Sequence, residues 1–275
     1  MLRELWLRAT TVQPPLAASS VLLVGVAVLL ITWSPIGYRL VRHLITLVHE
    51  AGHALVATLA GRSLRGIRLH SDTSGLTISK GRPTGPGVVF TLMGGYPAPS
   101  VLGLAGAFVL SRGYAAGLLW GLVLTCAVML LLIRNLYGLW VVLATGVGVA
   151  ALSWLAPSAW LVWVATALVW TLLLAAPRSV VELQVQRRRG RGAGSDVAQL
   201  AALTRVPAVL WVGLFLVLCL AALGGAGPAQ RQRGAAPFGQ FAHHIAFRHD
   251  ALQTAGGIGD HKGADAAFAQ QRHRR

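Results

Sequence analysis

Residues 38–60 read YRLVRHLITLVHEAGHALVATLA, an apolar run long enough to cross about 30 Å of hydrocarbon as a helix. Within it stand His49, Glu50 and His53. Ionisable groups on a membrane helix are costly unless a metal, water or polar partner compensates them, so they mark function by default. Four residues apart on a helix, the two imidazoles project from one face and can share a Zn2+. Glu50 beside them can take a proton from a water on that ion. Zinc lowers the pKa of such a water from about 15.7 to near 7, making hydroxide available at neutral pH. The bland alternative is three polar residues lining a helix interface, and the cost of burying them in a membrane weighs against it. Ala51, Gly52, Ala54, Ala57 and Ala60 are small enough for neighbouring helices to approach closely, as they also are in ordinary packing.

The rest of the chain agrees with a membrane setting. Apolar residues make up 55% and charged residues 12%, and the charges gather between the apolar runs, which excludes an ordinary soluble core. Runs at 16–35, 38–60, 88–110, 114–133, 136–155, 159–176 and 206–223 predict an all-α polytopic protein with about seven transmembrane helices in the lipid bilayer. The first run lies too far inside the chain, and lacks a small-residue cleavage site, to read as a removed signal peptide. Cys126 and Cys219 fall in apolar runs and form no disulfide framework, so both are expected as free thiols. The net charge of +16 comes mostly from Arg beside the spans, a matter of topology rather than of nucleic-acid binding. An N-terminus in the cytosol places Arg3, Arg8, Arg62, Arg65, Arg68, Lys80, Arg82, Arg134, Arg178, Arg187–Arg189, Arg191 and Arg205 inside. Only Arg39, Arg42 and Arg112 then fall outside, as the positive-inside rule favours in a plasma-membrane protein.

Between the second and third runs, 63–69 and 76–80 are short strand-like segments flanking a turn-rich stretch, Ser71 to Gly75, which predicts a cytosolic β-hairpin. After the sixth run a basic Gly-rich linker precedes Ser195 and Asp196, which look like a helix start leading into 197–203. Pro207 predicts a kink before the last span. Gly94, Gly95, Pro97 and Pro99 interrupt the third run, and broken membrane helices persist only where protein or a watery cavity satisfies the freed backbone. Residues 1–224 thus read as one membrane-embedded domain. Residues 225–275 turn to Ala, Gly, Gln, Arg and His without periodicity and read as a disordered basic tail or an out-of-frame extension. Its His243, His244, His249, His261 and His273 are too irregular in spacing for a metal site.

A catalytic zinc usually takes three protein ligands and leaves the fourth position to water. No histidine follows His53 at the metzincin spacing, and the next glutamate is Glu182, so the soluble zincin patterns fail. Before the tail the acidic residues are Glu4, Glu50, Asp72, Glu182 and Asp196. Asp196 is the preferred third ligand, with an N-cap role as the competing reading. Asn135 is the alternative, as a weak ligand or as a donor to the reacting carbonyl.

His49 to Ala54 (HEAGHA) with Gly61 and Arg62, Gly95 to Ser100 (GYPAPS), Arg134 to Gly138 (RNLYG) and Ser195 to Leu200 (SDVAQL) together resemble the site-2 protease class of intramembrane zinc metalloproteases, in its M50B-like bacterial branch. The resemblance covers roughly 38–223. It implies a helical membrane core, peptide-bond hydrolysis within the membrane, single-pass membrane proteins as substrates, and an Asp from a later segment completing the zinc site. Better-studied members carry that Asp in an Asp-Gly pair, whereas Val197 follows Asp196 here. The class also has a membrane-adjacent β element that takes up unwound substrate as an added strand, and the hairpin looks similar. The expected roles are therefore His49, His53 and Asp196 as metal ligands and Glu50 as the general base. A cation transporter using the same histidines and a metal-binding scaffold without activity are the competing readings.

Overall fold

Ser34 divides the first long apolar stretch into two helices, α2 (Ala18–Trp33) and α3 (Pro35–Leu59), which meet at 99° in the computed structural model, described here over residues 2–231. The sequence builds this elbow locally. The Ser34 hydroxyl accepts from the Gly37 N–H at 3.0 Å, Pro35 opens α3, and a Cβ at Gly37 would collide with the Ile31 carbonyl oxygen, so only glycine fits there. Arg178 closes the elbow from the side. Its guanidinium donates to the Thr32 carbonyl at the end of α2 and lies 4.0 Å from the centre of the Tyr38 ring. A cation thus sits on carbonyls that a helix C-terminus leaves without partners.

An amphipathic helix, α1 (Leu2–Thr10), precedes the elbow. Beyond it come strands β1 (Ser63–Leu69) and β2 (Gly75–Lys80), then α4 (Pro86–Met93), α5 (Ala98–Ser111), α6 (Ala115–Leu132), α7 (Leu136–Leu155), α8 (Ser158–Arg188), α9 (Asp196–Thr204) and α10 (Ala208–Arg231). Among the described residues four helices, α6, α7, α8 and α10, are each long and apolar enough to cross a membrane. The number rises to six if each bent pair, α2 with α3 and α4 with α5 (62°), is one span. The expected seven is not reproduced. Run length reports how many apolar residues follow one another but not their direction, and the runs at 16–35 and 38–60 are the two arms of one elbow.

The N-terminal helix and the hairpin take different places along α6. The Gln13 N–H donates to the Gly113 carbonyl at 2.9 Å and Arg8 donates to the Trp154 carbonyl at 2.9 Å, so α1 sits where α6 begins and α7 ends. The hairpin sits at the other end of α6, where the Arg134 N–H donates to the Ile67 carbonyl at 2.9 Å. An 18-residue helix is about 27 Å long. The N-terminal helix and the hairpin therefore lie at opposite ends of α6.

Packing in the bundle relies on small residues, since apolar side chains gain little by leaving lipid for protein. A Cβ at Gly103 or Gly106 of α5 would press on Leu173 or Val169 of α8, and Ala165, Ala175 and Ala176 of α8 are fully buried. Cys126 and Cys219 are free and buried, as expected. A break at 205–207, with Arg205 in the left-handed region (φ 61°), separates α9 from α10 next to Pro207. The expected tail lies outside the described residues from 232 onward, including all five of its histidines.

The hairpin is antiparallel, pairing Leu69 with Gly75 and Ser63 with Lys80, and bulges between Leu64 and Gly66. At its turn the Asp72 carboxylate accepts from the Ser74 hydroxyl at 2.6 Å and the Ser74 N–H at 2.9 Å. Those bonds hold its carboxyl below the usual range. The Thr46 hydroxyl of α3 donates to the Thr73 carbonyl at 2.8 Å, which ties the turn to the helix that carries His49 and His53.

Candidate metal centre

Three residues from two chain segments converge on one point. His49 and His53 project from the same face of α3, with their Nε2 atoms 3.0 Å apart and the rings edge to face. Asp196 is the first residue of α9, and its Oδ2 lies 3.2 Å from His49 Nε2 and 3.3 Å from His53 Nε2. Asp196 is held there by its own helix, since Val197 and Leu200 are fully buried against α4, α8 and α10. The N-cap position belongs to Ser195, whose hydroxyl turns back to the Gly192 carbonyl at 2.7 Å, so the Asp196 carboxylate is free to face the imidazoles.

This donor set fits a metal ion. Ligand atoms about 2.0–2.1 Å from a tetrahedral zinc stand roughly 3.3 Å from one another, and the observed separations are 3.0, 3.2 and 3.3 Å. His53 is oriented as a metal-binding imidazole should be. Its Nδ1 lies 2.7 Å from the Thr91 carbonyl of α4, to which only an N–H can donate, so Nε2 keeps its lone pair for the centre. Tyr96 packs edge to face on His49 at 4.7 Å and stacks in turn on Phe215 of α10.

The break between α4 and α5 lies directly beneath the imidazoles. A Cβ at Gly95 would collide with His53 Nε2 and Cε1 and His49 Cε1, and one at Gly52 would collide with the Gly94 carbonyl and Ala98. Neither glycine needs a positive φ; what both supply is space. Gly95→Ala is therefore expected to push the imidazoles apart and to lower bound metal in the purified protein at least about tenfold, by the cost of overpacking a rigid site. Unchanged metal content would show that the rings can yield.

Glu50 is 4% exposed, on the side of α3 facing β2. Its Oε2 accepts from the Thr77 hydroxyl at 2.6 Å. A cavity of about 640 Å³ opens over His49, Glu50, His53 and Asp196 and is walled on one side by β2. On the far wall Arg42 of α3 pairs with Glu182 of α8 at 2.9 Å, so Glu182 faces the cavity without joining the metal ligands.

Asn135 stands apart from the centre. Its amide Nδ2 donates to the Leu69 carbonyl at 2.6 Å and its Oδ1 accepts from the Leu69 N–H at 3.1 Å, the pair of bonds a neighbouring strand would make. Ile133 bridges Ile67 on the same edge. Asn135 thus closes the outer edge of β1, whereas Asp196 stands beside the two imidazoles. Sequence reasoning had no signal for the Thr77 contact, whereas Gly95 and Tyr96 stand inside a stretch already singled out for its break.

The family model described as Peptidase M50B-like matches residues 22–226, from within α2 to near the end of α10. No curated protein and no solved structure matches the chain. The matched span takes in α3, the hairpin, the α4–α5 break and α9, and with them every residue of the centre, so the chain belongs to the M50B-like peptidase family.

Proposed function

We propose that the protein is a zinc-dependent intramembrane endopeptidase that hydrolyses membrane-spanning substrate proteins. The observation that carries this reading is the convergence of His49 and His53 with Asp196, a residue distant in sequence, beside a buried carboxylate and an open cavity. Bound by these three residues, zinc supplies Lewis acidity toward a water and the scissile carbonyl. The chain's own groups do the rest. Thr91 orients His53, Glu50 accepts a proton from the attacking water and passes it to the leaving amine, and the small residues at 52 and 95 let the rings sit where they do.

Substrate access follows from the hairpin. The outer edge of β1 is closed by Ile133 and Asn135, whereas no described strand pairs with the outer edge of β2, and Gly75 to Ser79 line the cavity. A transmembrane helix shields its peptide bonds with its own hydrogen bonds. Once unwound, it can add to β2 as a strand and be held there through main-chain bonds. Single-pass membrane proteins are the natural class, because one span can enter without dismantling a bundle.

The hairpin end carries Arg62, Arg65, Arg68, Lys80, Arg82, Arg134 and Arg187–Arg189, against Arg3, Arg8 and Arg112 at the other. The positive-inside rule then favours a centre near the cytosolic face of the plasma membrane, with α1 on the opposite side. In liposomes, a single-span model substrate should be cleaved, cleavage should stop on chelation, and one equivalent of zinc should restore it. Metal flux without cleavage would instead support a cation transporter and overturn the peptidase reading.

A further inference from the structure

Resting on that reading, we infer that Thr77 is a positioning residue for Glu50, so that the strand receiving the substrate also sets the aim of the general base. Gly75 and Thr77 lie two apart on β2 and so face the same way, and both meet the Glu50 carboxylate. A Cβ at Gly75 would lie 2.5 Å from Glu50 Oε1, 2.6 Å from Cγ and 2.8 Å from Cδ, distances no side chain tolerates. The Thr77 hydroxyl lies 2.6 Å from Glu50 Oε2 and 3.1 Å from the Glu50 carbonyl oxygen. It has one proton to give, and the nearer, charged acceptor takes it. Both carboxylate oxygens thus meet β2, Oε2 through the Thr77 hydroxyl and Oε1 in the space that Gly75 leaves.

A glutamate side chain turns about three bonds, and a general base works only when its oxygen sits within hydrogen-bond reach of the proton it removes. In this buried site the Thr77 hydroxyl is the described side-chain donor that holds Oε2, and it removes most of that freedom. The strand is itself fixed to α3 at its turn by Thr46 and Thr73. A peptide added along β2 therefore enters in register with the same element that aims Glu50. The Thr77 hydroxyl meets Glu50, and it acts on the reaction through that residue.

A structural role only, anchoring β2 to the Glu50 carbonyl, predicts different behaviour. The test uses the full chain in liposomes, comparing wild type with Thr77→Val, which keeps shape without the hydroxyl, and Thr77→Ser, which keeps the hydroxyl. For Thr77→Val, kcat should fall about tenfold or more with KM nearly unchanged and zinc content intact, the scale of losing a hydrogen bond to a charged group. Thr77→Ser should recover most of that loss. Infrared difference spectra of the same proteins give a second readout that needs no turnover. The carboxylate stretch that disappears in Glu50→Gln should shift in Thr77→Val and stay in place in Thr77→Ser. If Thr77→Val loses zinc, Thr77→Ala carries the same comparison. An unshifted band with wild-type kcat overturns the inference, as does equal loss in the Ser and Val variants. A shifted band in a protein that cleaves nothing would sink the peptidase reading and leave the positioning role standing.

Discussion

Asp196→Ala is expected to purify without stoichiometric zinc, its affinity for the ion lower by at least about 100-fold, since even partners one shell removed from a metal are worth 10–100-fold. The geometry leaves little to replace the lost oxygen. His49 and His53 come from one helical turn and offer two ring nitrogens, and the Asp196 carboxylate is the acidic group of the three that could hold the ion. Of the other acids on the cavity wall, Glu50 accepts from Thr77 at 2.6 Å, and Glu182 is engaged by Arg42 at 2.9 Å and by Gln186 at 3.2 Å. Helix α9 should survive the substitution, because its start is organised by Ser195 and its inner face by the fully buried Val197 and Leu200. Loss of zinc with helicity and thermal stability otherwise preserved, read by metal analysis beside circular dichroism, is the expected pattern. His49→Ala should behave the same way. One zinc per chain in Asp196→Ala would remove this residue from the centre and return it to the role of a helix start.

What the sequence discloses here depends on how local each feature is. Two histidines and a glutamate within one helical turn need only the α-helical period to be read, and they occupy the predicted face. The partnership with Asp196 is not local, and it was reached through the SDVAQL resemblance and a short inventory of acids rather than through any pattern along the chain. The Gly94–Pro99 interruption was legible as a broken helix but not as the floor of the centre, since a glycine chosen for space looks like a glycine chosen for a turn. The elbow at Ser34 was missed because hydropathy carries no direction, and that single bend alters the number of spans and moves α1 to the far end of the bundle. Asn135 misled for a related reason. A polar residue near a membrane site suggests chemistry, yet its amide imitates a strand and seals the edge of β1. Thr77 was beyond reach, because its contact with Glu50 joins a strand to a helix that the sequence places far apart.

Glu50→Gln should retain zinc and lose cleavage by about 10³-fold or more, within the range that a positioned general base contributes. The substitution changes little else. Glutamine has the same length, fits against Gly75 as the glutamate does, and its amide oxygen can accept from the Thr77 hydroxyl in place of Oε2. His49, His53 and Asp196 remain as found, so metal content should stay at the wild-type level, in contrast to Asp196→Ala. An amide cannot take up the proton that the attacking water must lose, nor return one to the leaving nitrogen, and a 10³-fold loss corresponds to about 4 kcal/mol of barrier. Single-turnover cleavage of a one-span substrate in liposomes measures this without interference from product release. A protein that keeps its zinc and its cleavage rate after the change would place the base elsewhere in the cavity. A biological role that persists when the variant no longer cleaves would point to a binding scaffold, with the centre serving structure rather than hydrolysis.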